Sequence, residues 1–319
     1  MESGVSGEVI VVGGGVIGLT TAVVLAESGA RVRVWTRESV ELTTSAVAGA
    51  LWWPYRIEPE ALVGEWALQS LGVYEELAAR PEETGVRMVE GVQGGTRLDE
   101  LGPWARRVPG LREARAEEFA GGGLWARLPL IDMSTHLPWL RERFLRAGGT
   151  VEEASVTDLT EVPAPVVVNC TGLDSLDLVP DRSMRPVRGQ LVVVENPGIT
   201  TWFTSVDHTA DTSTYFFPQP GGLILGGTAE DGAWSMTPDP ATAEAIIARC
   251  AAVRPEIADA RVLEHRVGLR PTRPAVRLER QVLRGGRVLV HNYGHGGAGI
   301  TVAWGCAEEA AELVRLRLG

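Results

Sequence analysis

VIVVGGGVIGLTTAVVLAESG, Val9 to Gly29, decides how the rest of the chain is read. Val9–Val12 is a strand, Gly13–Gly18 a turn, and Leu19–Ser28 a helix that ends at Gly29. RVRVWT, Arg31–Thr36, is the second strand of the same unit. The turn reads Gly-x-Gly-x-x-Gly. Gly13 permits the tight bend, Gly15 lets a pyrophosphate approach the backbone, and Gly18 lets helix and strand pack closely. As six residues the pattern is weak, and a glycine turn without function is its bland reading. Inside a strand–turn–helix–strand unit it predicts a bound dinucleotide. Glu38 stands 20 residues after Gly18, where an acid usually holds the adenosine ribose. Arg37 beside it leaves open a 2′-phosphate and NADP, or an ordinary solvated Arg–Glu pair.

A second glycine-rich turn lies near the other end: HNYGHGGAGITVAWG, His291–Gly305, with four glycines between Gly294 and Gly299. It leads into an apolar run, Ile300–Leu318, read as the closing helix. Helix N-termini attract anions. A nicotinamide cofactor needs one such turn. A flavin dinucleotide reaches further, and its reduced ring gains from a second positive helix end near N1 and O2. The pair of turns therefore predicts FAD.

Composition removes several alternatives. The 319 residues, 45% hydrophobic and 22% charged, are those of a globular protein. A net charge of −11 gives no general attraction to nucleic acid. No stretch resembles a signal peptide or a membrane span, so the expected location is the cytoplasm. All 30 basic residues are arginine, which excludes lysine Schiff bases and the P-loop lysine. Cys170, Cys250 and Cys306 are too scattered for a disulfide framework or a zinc site and read as buried small hydrophobes, although one bridge stays open. His291 and His295 are four apart, but the glycines around them prevent a shared helix face, so no metal is expected.

Glu60–Ala79, Leu137–Ala147 and Ala241–Val253 read as helices, and PAPVVVNCTG, Pro163–Gly172, as a buried strand entering a turn. RGQLVVVE, STYFFPQ and GGLILGGT are short runs of an antiparallel sheet, and GRVLVHNYG is a further strand. The fold class is α/β: a Rossmann-like dinucleotide domain (1–50, 150–185 and 280–319) interleaved with a substrate domain on an antiparallel sheet (51–149 and 186–279).

VVGGGVIGLTTA, LTTSAVAGALWWPY, VVVNCTG, RPVRGQ, YFFPQPGGLILGG, GLRPTRPAVRLE and HNYGHGGAGITVAWGCA together resemble the D-amino-acid oxidase family and its relative D-aspartate oxidase, in order from about Val9 to Ala310. The resemblance implies FAD held by Gly13, Gly14, Gly15, Val16, Ile17, Gly18, Arg37, Glu38, Thr43, Thr44, Ser45, Gly49, Leu51, Val156 and Thr171. At the far turn it implies Gly296, Gly297, Gly299, Ile300 and Thr301. By the same resemblance Arg270 clamps the substrate α-carboxylate, as its planar fork suits, Tyr215 also holds it, and the Gly297 carbonyl accepts from the amine. Many members carry a lid tyrosine four residues before Tyr215, where this chain has Asp211. His208 is expected near the side-chain pocket. The implied partners are a D-amino acid and O2, and a homodimer is one assembly open to the chain.

The implied reaction is hydride transfer from the α-carbon to flavin N5, giving an imine that hydrolyses to a 2-oxo acid and ammonia while oxygen yields hydrogen peroxide. No protein acid or base is needed at the α-carbon. D-Aspartate oxidase and glycine oxidase are the alternatives. A reader for a second carboxylate cannot be placed from sequence, and the apolar LWWPY wall (Trp52, Trp53, Tyr55) favours neutral side chains. From another class, a non-enzymatic FAD- or NADP-binding sensor remains.

Overall fold

A computed structural model describes residues 7–206 and 212–318, so His208 and Asp211 lie outside the described residues. The strands are β1 Glu8–Val12, β2 Arg31–Thr36, β3 Val86–Gly94, β4 Arg112–Glu113, β5 Gly123–Ile131, β6 Thr150–Glu153 and β7 Val166–Asn169. They continue with β8 Arg185–Val194, β9 Trp202–Val206, β10 Thr212–Gln219, β11 Gly222–Thr228, β12 Glu230–Asp231, β13 Val262–Val282 and β14 Val288–His295. The helices are α1 Val16–Glu27, α2 Glu60–Leu77, α3 Pro81–Thr84, α4 Met133–Arg146, α5 Ser175–Leu178, α6 Pro240–Val253 and α7 Gly299–Leu318.

One continuous sheet runs in the order β4-β5-β3-β9-β10-β11-β8-β13-β14-β7-β1-β2-β6, with β12 beside β8. From β14 through β7, β1 and β2 to β6 every pairing is parallel. From β14 back to β9 every pairing is antiparallel, and β9 then joins β3 in parallel. The class is thus α/β, with a dinucleotide-type half and an antiparallel half in a single sheet.

Chemistry of the β1–α1 turn matches its geometry. Gly13 has φ +117°, and a Cβ there would lie 2.3 Å from the Cys170 carbonyl oxygen. A Cβ on Gly18 would lie 1.9 Å from the Gly13 carbonyl oxygen. Helix, turn and the β7 exit are therefore in direct contact. α1 is buried almost all round because α4 and α7 cover the face it turns away from the sheet, which its VIGLTTAVVLAE sequence allows.

Several elements differ from the sequence expectation: β3, β5, β6 and β9 have no assignment there, α1 begins at Val16 rather than Leu19, and two more differ for a visible local reason. α4 begins at Met133, four residues before the expected Leu137. Asp132 caps it by accepting from Ser134 N at 3.1 Å, and Pro138 lies inside. Pro138 reads as first-turn chemistry, which places the apparent start too late. β13 is a 21-residue strand where sequence reading assigns none. Pro271 and Pro274 hide it, since proline argues against a central strand. The ladder tolerates them because Pro271 faces Pro186 on β8, and the β14 register shifts between Thr272 and Arg277.

Candidate active site

A cavity of about 670 Å³ starts at the C-terminal ends of β1 and β2, passes the first turns of α1 and α7, and ends against the antiparallel sheet. Of the residues implied for FAD, Gly13–Ile17, Arg37, Glu38, Thr43–Ser45, Gly49, Leu51, Val156, Thr171, Gly296, Gly297, Gly299 and Ile300 line it. Gly18 and Thr301 are not among the residues that line it. Gly18 is covered by the Gly13 carbonyl and acts in packing. Thr301 is buried, donating to the Trp53 carbonyl at 2.9 Å and accepting from Trp53 N at 3.2 Å. It fastens the segment around Trp53 to the first turn of α7.

Helix α1 begins within the cavity wall, with Gly15 at its N-cap position. The Ser45 hydroxyl accepts from Val16 N at 3.0 Å, so one first-turn donor is already met by protein. The cradle is shaped for close approach. A Cβ on Gly14 would lie 2.4 Å from Thr36 Oγ1, and one on Gly15 would lie 3.0 Å from Ser45 Oγ. At the end of β2, Thr36 Oγ1 donates to the Glu38 carbonyl at 2.9 Å. Arg37 pairs with Asp174 at 2.9 Å. That exposed pair contributes little stability, but it neutralises the cation that would read a 2′-phosphate. Below the turn, Asn169 Oδ1 accepts from Thr171 N at 3.1 Å and Thr171 Oγ1 at 2.7 Å. The asparagine thus shapes the β7 exit, a role its position in VVVNCTG does not announce.

Beyond the α7 turn, Arg270 on β13 donates from Nη1 to the Thr228 carbonyl at 2.9 Å. Its guanidinium lies flat over Gly189, where a Cβ would be 2.6 Å from Cζ. Tyr215 lies over Gly226 in the same way, with Cζ 1.9 Å from the position of a Cβ, and stacks on Phe217 at 4.7 Å. Burial pushes the Tyr215 phenol up, and the charge of Arg270 beside it opposes the rise. The hydroxyl therefore stays protonated and able to donate. On the facing side, a Cβ on Gly297 would lie 3.3 Å from Arg270 Cδ and 3.7 Å from the Tyr55 ring. Arg270, Tyr215 and Gly297 are brought together as expected, although each comes from a different element.

The LWWPY segment is divided. Leu51, Trp53 and Tyr55 line the cavity. Trp52 does not: it is fully buried, donates to the Ala67 carbonyl at 3.0 Å and meets Trp104 edge-on. Ala50 and Arg56 bracket the segment at φ +59° and +45°, bends that fix its course between core and cavity. Sequence reading misses Gln93, Thr204, Gly189, Trp234 and Met236, which also line the cavity. Only the register of the sheet brings β3, β9 and β10 side by side there, through Gln93↔Thr204 and Thr204↔Tyr215.

His295 lines the cavity, and burial pushes it down to about 3. Burial, with Arg277 pushing the same way, holds His291 down to about 4. Both stay neutral at ordinary pH, and no metal-binding cluster occurs among the described residues. The three described cysteines are buried and unpaired.

Two glycine-turn helix starts on one continuous cavity, with a guanidinium beyond the second, define a flavin dinucleotide enzyme. The FAD dependent oxidoreductase family model matches residues 8–313, and the chain belongs to that family, with FAD as its cofactor. It is 72% identical over 308 residues to a D-amino-acid oxidase of Streptomyces coelicolor, covering 96% of each chain. A D-amino-acid oxidase of Rubrobacter xylanophilus is 49% identical over 319 residues, covering 98% of this chain and 97% of its own. Among solved structures, glycine oxidase from Geobacillus kaustophilus superposes with a TM-score of 0.80 at 20% identity, over 97% of this chain and 95% of that one. That last likeness speaks for the fold.

The Gly189 floor gives a direct expectation. Gly189→Ala places a methyl inside the space of the Arg270 guanidinium, 2.4 Å from Nη1. The long side chain must swing, so the clamp loses alignment while the fold persists. KM for the carboxylate-bearing substrate rises at least about tenfold, the scale of one misplaced charge-assisted bond. Steady-state kinetics of the flavin-loaded variant measures it, and an unchanged KM shows that the fork does not bind substrate in this pose.

Proposed function

We propose that the chain oxidises neutral D-amino acids with FAD and O2, giving 2-oxo acids, ammonia and hydrogen peroxide. The observation that carries this reading is the convergence of the Arg270 guanidinium and the Tyr215 hydroxyl opposite the Gly297 turn, inside the cavity that holds both helix N-termini. The activity named for the two relatives supports it.

The residues fit the cofactor: glycine cradles that a Cβ would fill, and two helix starts open to anionic groups. Gly13–Ile17 would hold the pyrophosphate, Glu38 the ribose, and Gly296–Ile300 the ring end. When bound, FAD supplies hydride acceptance at N5 and reoxidation by oxygen. The protein supplies position. Arg270 and Tyr215 fix the carboxylate, and the Gly297 carbonyl accepts from the amine, so the α-hydrogen has one direction left. His295, held neutral, adds no charge next to the reacting amine. Catalysis of this kind rests on orientation and fixed dipoles rather than on a protein acid or base. In this reading the parallel half of the sheet (1–50, 150–185, 280–319) is the cofactor unit and the remainder the substrate unit.

A dicarboxylic substrate fits less well. Among the described cavity-lining residues the guanidinium groups are Arg270, the clamp, and Arg37, which is paired with Asp174. None is left for a second carboxylate. The buried unpaired thiols support the cytoplasm as location, where disulfides are rare. Sedimentation of the purified chain separates monomer from homodimer.

The purified protein is expected to be yellow and to release FAD on heating. Oxygen uptake and peroxide release with D-alanine, D-aspartate and L-alanine test the rest. Release of FMN or of no flavin, with no FAD uptake by the apo-protein, overturns the cofactor assignment. Peroxide from none of the D-amino acids overturns the reaction.

A further inference from the structure

Strand β8 uses its Arg188–Gly189–Gln190 triplet on two faces at once. Successive strand residues point to opposite sides. Gly189 leaves room on the cavity side for Arg270, while Arg188 and Gln190, 4% and 0% exposed, belong to the other side. There Arg188 Nε donates to the Ser235 carbonyl at 2.7 Å and Nη2 to the Thr237 carbonyl at 2.7 Å. Its Nη1 reaches Glu230 Oε1 at 2.6 Å, and Nη2 also meets Gln190 Oε1 at 3.0 Å. Gln190 completes the set, donating to the Asp239 carbonyl at 2.7 Å and accepting from Asp239 N at 2.9 Å. A buried guanidinium is tolerated where its donors are matched, and here two of its four bonds go to one loop. The backbone between β12 and α6 is thereby held at Ser235, Thr237 and Asp239.

That loop carries two residues whose exposure is otherwise unfavourable. Trp234 and Met236 are 57% and 55% exposed, and both line the cavity. The chain reaches them directly from Thr228, whose carbonyl accepts from Arg270, through Ala229, which also lines the cavity. Their position is thus close in sequence to the carboxylate clamp. Large apolar groups at a cavity rim gain most when a ligand covers them. Tryptophan offers a rigid face, and methionine adapts to the shape laid against it. Their backbone is fixed from below by Arg188 and Gln190, so little order has to be created on binding.

Resting on the reaction proposed above, we propose that Trp234 and Met236 form an apolar ledge that selects among D-amino acids. The ledge covers branched and aromatic side chains, and Arg188 is the positioning residue that holds it. The RGQ triplet then serves substrate recognition on both faces: Gly189 for the carboxylate, Arg188 and Gln190 for the side chain.

The test is the ratio of kcat/KM for D-leucine to that for D-alanine, measured by oxygen uptake with FAD-saturated enzyme. Trp234→Ala is expected to lower this ratio about tenfold, and Met236→Ala about threefold, the scale of part of an apolar side chain left in water. Both changes should appear mainly in KM for D-leucine. Arg188→Gln, which removes the charge and most of the donors, should lower the same ratio, and adding it to Trp234→Ala should lower it little further. Arg188→Lys should recover less than half of the loss, because an ammonium cannot reproduce the fork. A ratio unchanged in both Trp234→Ala and Met236→Ala, in enzyme that still oxidises D-alanine, overturns the ledge and leaves the reaction intact. A wild-type protein that consumes no oxygen with any D-amino acid removes both.

Discussion

Arg270→Ala is expected to keep its flavin and to lose at least about a hundredfold in kcat/KM for D-alanine. The fork offers a carboxylate two parallel charge-assisted bonds, each worth about 1.5–3 kcal/mol, and about 1.4 kcal/mol is a factor of ten. Water entering the vacated space recovers part of this, so the lower end is the fair expectation. The loss should fall mostly on KM, because the carboxylate carries the same charge before and during α-carbon oxidation. Arg270→Lys should lie between the two, keeping the charge and losing the fork. Arg270 is half-buried, donates to the Thr228 carbonyl and interacts with the Tyr215 hydroxyl, so truncation leaves these two groups without that partner. Flavin absorbance and melting temperature near those of the parent would confirm that only the clamp is lost. A variant with a normal KM would show that another arginine does this work.

The legibility of this chain differs sharply between its two halves. The β1–α1–β2 unit is readable because its constraints are local: a glycine turn, a helix and a strand within Glu8–Thr36. The second turn is readable for the same reason, and together they carry the cofactor. Individual cavity residues required more. Gly18 and Thr301 belong to glycine-turn patterns, yet Gly18 is covered by the Gly13 carbonyl and the Thr301 hydroxyl is spent on Trp53. Trp52 and Trp53 are adjacent, and only the backbone course decides that one is core and the other wall. Gln93, Thr204 and Tyr215 come together through strand register across β3, β9 and β10, which no local pattern encodes. β13 was hidden by its own prolines. Arginine abundance hid Arg188 as well: in a chain with 30 arginines, residue type alone does not separate a buried anchor from surface charge. Burial does, since Arg188 is 4% exposed whereas Arg97, Arg107 and Arg261 lie on the surface in ion pairs.

Stereochemistry tests the whole arrangement, because it requires every part to be where it is described. Arg270 and Tyr215 take the carboxylate, and the Gly297 carbonyl takes the amine. The side chain must then go toward the wall of Leu51, Trp53 and Tyr55, with the apolar rim beyond. For the D-enantiomer this leaves the α-hydrogen directed at the cofactor. An L-amino acid held by the same carboxylate reaches that direction only if amine and side chain exchange places. The exchange leaves the Gly297 carbonyl without its donor, at about 1–3 kcal/mol, and turns a charged amine toward aromatic carbon. If they do not exchange, the α-hydrogen points away and the productive geometry is absent. Either course puts kcat/KM for L-alanine at least about a hundredfold below that for D-alanine. D-Aspartate should also fall well below D-alanine, since its second carboxylate meets no free guanidinium among the described cavity residues. The two comparisons fail separately: equal rates with L- and D-alanine would remove the three-point clamp, whereas a preference for D-aspartate would remove only the assignment of the side-chain wall.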